Sequence, residues 1–159
     1  MDNLTQKIES RLKELGVAYK LSHHEPVATS ADAARVRGVA LSSGAKALLV
    51  KANEVYALFV VPANRQLDWR AVKATLTCKN ARLATEEELL EKTGLIKGSV
   101  PPFGNLLGLP VYVDGDLGEE ELVRFNAGSL TSSIEMPGGD LLNAVEGEWG
   151  SYSKPPKAE

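Results

Sequence analysis

The sequence predicts an α+β fold: a mixed, mostly antiparallel sheet or a partial β-barrel, with helices packed on its outside. Two apolar runs at 45–51 and 55–61 are joined by Ala52-Asn53-Glu54, and together they predict a β-hairpin. Other short strand-like segments follow, and the helical segments among them lack a regular βαβ alternation. No linker is visible, so we expect one domain at 1–148 and a polar tail at 149–159, of which residues 151–159 fray.

The elements before the hairpin are two helices with a strand between them. A first helix ends at Gly16 and carries four apolar side chains on one face, namely Leu4, Ile8, Leu12 and Leu15. A strand is expected over 17–21. Thr29 followed by Asp32 resembles the start of a second, short helix that ends at Gly38.

Two later helices are marked by side chains that cap their first turns. Asp68 precedes one helical pattern, and Thr85 with Glu88 forms a capping box for a helix that ends at Gly94. The remaining elements are an irregular stretch rich in glycine and proline (98–110), three strands (111–114, 122–126 and 132–136) and a last short helix (141–145).

Composition excludes several classes of function. The chain of 159 residues has a net charge of -3, which argues against a protein that coats nucleic acid, DNA included, but permits a local basic patch. No apolar run reaches the roughly 18 residues of a membrane helix, and the N-terminus lacks a signal-peptide pattern. With Cys78 as the single cysteine, we expect a cytoplasmic protein in a reducing compartment, without a membrane partner.

The loop 98–104, Gly-Ser-Val-Pro-Pro-Phe-Gly, is the most unusual stretch of the sequence. Its glycines permit positive φ, whereas its prolines restrict the backbone to few shapes. Such a loop can direct the amides of Ser99 and Val100 at one point, as an oxyanion hole requires. A rigid surface turn between a helix and a strand explains the same pattern.

Lys46 lies at the start of the first strand of the hairpin, among residues that form a core. A lysine in this position can hold a phosphate or a carboxylate in a pocket. It can equally extend its amine to the surface from the end of the strand.

The sequence gives little support for a metal site or for a nucleophilic side chain. His23 and His24 are adjacent, so on an extended segment they point to opposite sides, and no third ligand stands at a zinc-like spacing. Cys78 has no histidine near it in sequence, which favours a passive thiol. Gly-x-Ser-x-Gly, dinucleotide-binding and P-loop motifs are absent. We therefore expect no metal and no cofactor.

Taken in order, four segments resemble the YbaK family and the related insertion domain of bacterial prolyl-tRNA synthetases. The resemblance runs from about residue 20 to residue 146 and includes Ile134-Glu135-Met136 and Asp140-Leu141-Leu142. The four segments are Gly44-Ala45-Lys46-Ala47-Leu48-Leu49, Gln66-Leu67-Asp68, Gly98-Ser99-Val100-Pro101-Pro102-Phe103-Gly104 and Asn126-Ala127-Gly128-Ser129.

The resemblance implies a free-standing hydrolase that cleaves the ester between an amino acid and the 3′ acceptor end of a non-matching tRNA. Lys46 would contact the terminal phosphate backbone. The amides of the Gly-x-x-x-Pro loop would hold the ester carbonyl and select small side chains. The tRNA's own ribose hydroxyl would help to activate water, without a metal or a protein nucleophile. The implied carrier is tRNA-Pro, and a prolyl-tRNA synthetase is a candidate partner.

The residues that the resemblance assigns to the site fall into two groups. The catalytic group is Lys46, Gly98, Ser99, Val100 and Pro102, and the substrate-binding group is Ala28, Asn126, Gly128 and Ser129.

Two departures from the family concern specificity. Several relatives have a histidine at the position of Leu130, and an alanine-specific relative has a phenylalanine at that of Ala28, so this pocket would be wider if Ala28 lines it. The alternative function is a non-catalytic module that binds the tRNA acceptor end.

Overall fold

The computed structural model describes residues 3–26 and 43–155 of the chain. The described helices are α1 (Leu4–Glu14), α2 (Trp69–Leu76), α3 (Glu86–Thr93), α4 (Gly115–Gly118) and α5 (Leu141–Val145). The described strands are β1 (Lys20–His23), β2 (Ala45–Ala52), β3 (Val55–Pro62), β4 (Gln66–Leu67), β5 (Arg82–Leu83), β6 (Val111–Asp114), β7 (Val123–Asn126), β8 (Ser132–Met136), β9 (Glu148–Gly150) and β10 (Ser153–Lys154). None of these helices is long and apolar enough to cross a bilayer.

The strands form three sheets. A five-stranded sheet has the order β5-β2-β3-β6-β9, a three-stranded sheet has the order β1-β8-β7, and β10 pairs with β4. Only the β3–β6 and β6–β9 pairs are parallel in the described part of the chain. The predicted mixed, mostly antiparallel α+β fold is thus confirmed, but the sheets do not close into a barrel.

The central hairpin follows the prediction closely. Strands β2 and β3 pair along their whole length, with Asn53 at φ 57 in the turn. Strand β3 is buried on both faces: Leu58 and Val60 belong to one apolar cluster, whereas Phe59 and Val61 belong to another. The five-stranded sheet therefore separates two cores.

Helix α1 packs its Ile8 and Leu12 into the first of these cores, as their spacing predicts. The next strand starts later than expected, at Lys20 rather than at 17. The reason is the end of the helix, where Gly16 has φ +70 and the Val17 amide donates to the Leu12 carbonyl at 2.9 Å. Val17 therefore completes the helix end.

The predicted helix caps are confirmed. The Asp68 side chain accepts from the first-turn amides of α2, and Thr85 with Glu88 forms a reciprocal capping box at α3. The short helix predicted between Thr29 and Gly38 lies outside the described residues.

The predicted fraying of the tail is wrong for residues 151–155. Tyr152 is only 6% exposed and stacks edge-on against Phe59, and Ser153 pairs with Leu67. The buried Asp114 carboxylate accepts from the Tyr152 amide at 3.1 Å and from the Ser153 hydroxyl at 2.7 Å. Composition missed this segment because the contacts that hold it come from distant parts of the chain.

We expect Asp114→Ala to destabilise the protein by about 3 kcal/mol, because it leaves several donors without their charged acceptor in a buried place. The loss would be measured by urea unfolding. Asp116→Ala is the matched control, since Asp116 is exposed, and it should change stability by less than about 0.5 kcal/mol. Equal stability of the two variants would contradict a structural role for Asp114.

Candidate active site

The loop after α3 is held from beneath by the core. Val100 and Phe103 belong to the apolar cluster beneath it, and the Phe103 ring lies 5.7 Å from that of Phe125, centroid to centroid. Pro101 and Pro102 are buried as well. Because side chains on both sides of the prolines are packed, the backbone at 98–102 has little freedom to move.

Gly98 has φ +89, in the region that side chains with a β-carbon rarely adopt. Of the two loop glycines expected to permit a positive φ, Gly98 adopts one and Gly104 does not. The Gly98 residue itself is exposed, whereas Ser99 is only 2% exposed. The turn therefore presents Gly98 to solvent while the next side chain is buried.

The Ser99 amide is not a free donor, contrary to the expectation from sequence. It donates to the Ile96 carbonyl at 3.1 Å, and the Ser99 hydroxyl donates to the same oxygen at 2.8 Å. The cause is a tight turn over 96–99. Neither the Gly98 amide nor the Val100 amide has an acceptor within residues 3–26 and 43–155. The pair of available donors is thus Gly98 and Val100.

Asn126 connects strand β7 to this loop. Its side-chain nitrogen donates a hydrogen bond to the Gly98 carbonyl oxygen, and its side-chain oxygen accepts from the Ser133 hydroxyl at 3.3 Å. The peptide between Gly98 and Ser99 is therefore held at both ends, its carbonyl by Asn126 and its amide by Ile96. The two free amides lie on the peptides that flank it.

Lys46 lies on β2 close to β7. Gly44 forms a parallel bridge with Arg124, and Lys46 and Asn126 each come two residues later along these neighbouring strands. Lys46 is half-buried and has no anionic partner among the described residues. Burial lowers the pKa of its amine, because desolvation penalises the charged form.

Two other predicted substrate-binding residues, Gly128 and Ser129, contact α1 and the turn after β7. Gly128 has φ +88 and packs against Leu4 of α1, where an added β-carbon would come within 3.0 Å of that side chain. The Ser129 hydroxyl lies 2.8 Å from that of Thr131, in the turn between β7 and β8. The structure thus shows local structural contacts for both residues. Ala28 lies outside the described residues.

A cavity of about 370 Å³ adjoins the loop between β2, β5 and α3. Gly98 and Val100 form part of its wall, together with Lys97. The remaining lining is mainly apolar and comes from Ala47, Leu48, Leu49, Leu83, Ala84, Thr85, Glu86 and Leu89.

His23 and His24 contact different partners. His23 lies 3.2 Å from the Ser132 hydroxyl and His24 lies 2.7 Å from the Ser133 hydroxyl, and these serines face opposite sides of β8. No group of three possible metal ligands occurs within the described ranges. Sequence reasoning did not find the role of Ser133, because a serine in a strand carries no signal without its cross-strand neighbours.

A rigid loop with two free amides, tied through Asn126 to the strand next to Lys46, defines the class of site: the amides can hold an oxygen that gains negative charge, and the lysine can hold an anionic group. The comparisons with known proteins agree with this class. The chain belongs to the aminoacyl-tRNA editing domain family, whose model matches residues 24–144. The family membership predicted from the four sequence segments is thereby confirmed.

The chain is similar over most of its length to a curated deacylase and to two solved structures. The multifunctional Ser/Thr-tRNA deacylase ProXp-y of Escherichia coli strain K12 is 32% identical over 148 residues, covering 90% of this chain and 89% of that protein. The crystal structure of the hypothetical protein APE2540 superposes with a TM-score of 0.85 at 28% identity, covering 93% of this chain and 99% of its own. A candidate trans-editing enzyme for prolyl tRNA synthetase superposes with a TM-score of 0.83 at 24% identity, covering 97% and 99%. This last similarity concerns the fold alone.

Proposed function

We propose that this protein is a trans-editing hydrolase that cleaves the ester of a mischarged aminoacyl-tRNA, releasing a small amino acid. The E. coli relative is a Ser/Thr-tRNA deacylase, so serine and threonine are the first amino acids to consider. The main support for the proposal is the peptide group that joins Gly98 to Ser99, whose carbonyl and amide are both hydrogen-bonded. The free amides of Gly98 and Val100 belong to the peptide groups on either side of it.

In the proposed reaction, water attacks the ester carbonyl carbon, and the carbonyl oxygen becomes an oxyanion. The amides of Gly98 and Val100 donate to this oxygen. They are held in place before the substrate arrives, so little reorganisation is needed as the charge develops. Collapse of the intermediate breaks the bond to the ribose oxygen and yields the free amino acid and a tRNA with a 3′-terminal hydroxyl.

Lys46 is the proposed contact to the phosphate backbone of the acceptor end. Its amine has no carboxylate partner among the described residues, so a phosphate can provide the missing counter-charge. Lys97, which is exposed beside Gly98, adds positive charge at the mouth of the site. Such local cations permit RNA binding by a protein with a net charge of -3.

The proposed carrier tRNA, partner protein and location are inferred from relatives. We propose tRNA-Pro as a carrier and a prolyl-tRNA synthetase as a partner, because a structural relative is described as a candidate trans-editing enzyme for that synthetase. Aminoacyl-tRNA is consumed at the ribosome, so the proposed location is the cytoplasm.

The test is a deacylation panel with purified protein. We expect hydrolysis of at least one of alanyl-, cysteinyl-, seryl- and threonyl-tRNA-Pro or of seryl- or threonyl-tRNA, well above the spontaneous rate, and no hydrolysis of prolyl-tRNA-Pro. Binding of tRNA without turnover of any substrate would contradict the proposal and favour the non-catalytic module.

A further inference from the structure

A chain of polar contacts leads from His24 to the candidate active-site loop. The His24 Nδ1 atom lies 2.7 Å from the Glu25 carbonyl oxygen, and Nε2 lies 2.7 Å from the Ser133 hydroxyl. That hydroxyl lies 3.3 Å from the Asn126 side-chain oxygen, and the Asn126 nitrogen donates to the Gly98 carbonyl.

The three-stranded sheet brings these side chains together. Ser133 pairs with Ser22 of β1 on one side and with Asn126 of β7 on the other. His24 follows β1 two residues after Ser22, so it points to the same face of the sheet. The chain of contacts crosses this face from β1 to β7 and ends at the loop.

All of these hydrogen bonds can form at the same time in only one protonation state of His24. The Glu25 carbonyl can only accept, so Nδ1 of His24 carries a hydrogen. In a neutral imidazole Nε2 would then be an acceptor, and it would draw the single hydrogen of the Ser133 hydroxyl away from Asn126. In the imidazolium, Nε2 donates to Ser133, and Ser133 is free to donate to Asn126.

We propose that His24 and Ser133 are positioning residues for the active-site loop, and that protonation of His24 completes the hydrogen-bond chain through Asn126 to Gly98. This inference rests on the proposed function, because it assigns the loop as the oxyanion-binding element. Neither residue touches the substrate. They act by fixing the orientation of the Asn126 amide, which holds the peptide between the two free donors.

The sign of the pH dependence follows from this balance. The chain of contacts is complete when His24 is protonated and is broken when it is neutral, so the contribution of His24 to the rate falls as the pH rises. Loss of one ordinary hydrogen bond corresponds to a change of about 2- to 10-fold in rate. We expect a moderate dependence of this size rather than an on–off switch.

The charged and titratable groups near His24 come from all three strands of this sheet. Lys20 and His23 belong to β1, and Glu25 follows it. Arg124 of β7 and Glu135 of β8 form an ion pair at 2.7 Å, which largely cancels their charges. A cavity of about 250 Å³ lined by His24 and Ser133 gives the imidazole access to water for proton exchange.

The first experiment compares pH profiles of deacylation for the wild type and three variants. His24→Gln places an uncharged N–H donor near the position of Nε2 at every pH, so it should keep the activity that the wild type has at pH 5.5. At pH 8.5 the wild type should be about 2- to 10-fold slower than His24→Gln. Ser133→Ala should be slow at both values. The spontaneous rate of ester hydrolysis, measured without enzyme at each pH, is subtracted before the ratios between proteins are taken.

His23→Gln is the matched control, because His23 is a neighbouring histidine that also contacts a serine of β8 but has no path to the loop. Its ratio to the wild type should not change with pH. A ratio of wild type to His24→Gln that is constant from pH 5.5 to 8.5 would overturn the proposal, and so would an equal pH effect of His23→Gln.

The second experiment needs no substrate, so it separates this inference from the proposed function. In two-dimensional ¹H–¹⁵N spectra, the backbone amides of Gly98 and Val100 and the side-chain amide of Asn126 should shift with the same midpoint as the His24 ring. In Ser133→Ala these shifts should vanish while His24 still titrates. If the chemical shifts of these amides in the wild type do not change together with those of the His24 ring, the positioning role is refuted, whether or not the protein is a deacylase.

Discussion

Gly98→Val is expected to lower the rate of deacylation by about 100- to 1,000-fold, the usual consequence of losing one aligned oxyanion donor. Gly98 has φ +89, and a β-branched residue is strongly disfavoured there. The backbone must therefore rotate, which turns the peptides that carry the free amides. The rate would be measured with the best substrate of the deacylation panel, and folding by circular dichroism and thermal unfolding.

Two control variants test whether the loss of activity comes from the backbone at Gly98. Ser99→Ala removes a hydroxyl that only bonds the Ile96 carbonyl, so it should cost about 1 kcal/mol of stability and keep most of the activity. Gly16→Val introduces the same kind of strain at φ +70, in an exposed turn at the end of α1, and should leave the rate unchanged. If Ser99→Ala is the inactive protein, the hydroxyl acts directly and the backbone-amide mechanism is wrong.

Lys46→Met should reduce kcat/KM by about 10- to 100-fold, the effect of removing one charge-assisted contact to a phosphate. Stability should not fall. Burial lowers the pKa of the Lys46 amine, so the charged lysine destabilises the folded state at pH values below that pKa. This cost begins to fall as the pH passes that lowered pKa, and it is gone only above the ordinary value of 10.5, where the lysine of the unfolded chain is also neutral. The variant should therefore melt at a temperature equal to or above that of the wild type at pH 7, with a smaller difference near pH 10.

Lys51→Met is the control on the same strand. Lys51 pairs with Glu88 at 3.2 Å. The pKa of the Glu88 carboxyl is lowered mainly by hydrogen bonds from Arg82, then by one from the Thr85 amide and by the contact with Lys51. Its replacement should reduce stability slightly and leave deacylation unchanged. Wild-type activity in Lys46→Met would remove Lys46 from the site, and a clear loss of stability would indicate a structural role instead.

Some features of this protein follow from short-range patterns in the chain. The hairpin around Asn53, the caps at Asp68 and Thr85 and the positive φ of Gly98 depend on interactions within a few residues, which the sequence shows directly. The order of four segments was also sufficient to identify the family.

The tertiary structure decided which of the predicted donors are available. Ser99 and Val100 look alike in the sequence of the loop, but the turn over 96–99 occupies the Ser99 amide and leaves the Gly98 and Val100 amides without an acceptor in the described structure. A glycine–proline pattern restricts the shape of a backbone without specifying which peptide planes are already hydrogen-bonded.

The features that the sequence did not predict depend on contacts between residues far apart in the chain. Asn126 reaches Gly98 across 28 positions in sequence, His24 reaches Ser133 across 109, and Asp114 holds Ser153 across 39. Each contact joins polar side chains that give no periodic signal of their own. The sequence alone determined the local elements and the family, because these depend on neighbours in the chain. The set of free amides, the side chains that position them and the docking of the tail depend on how the sheets pack, and only the tertiary structure decided them.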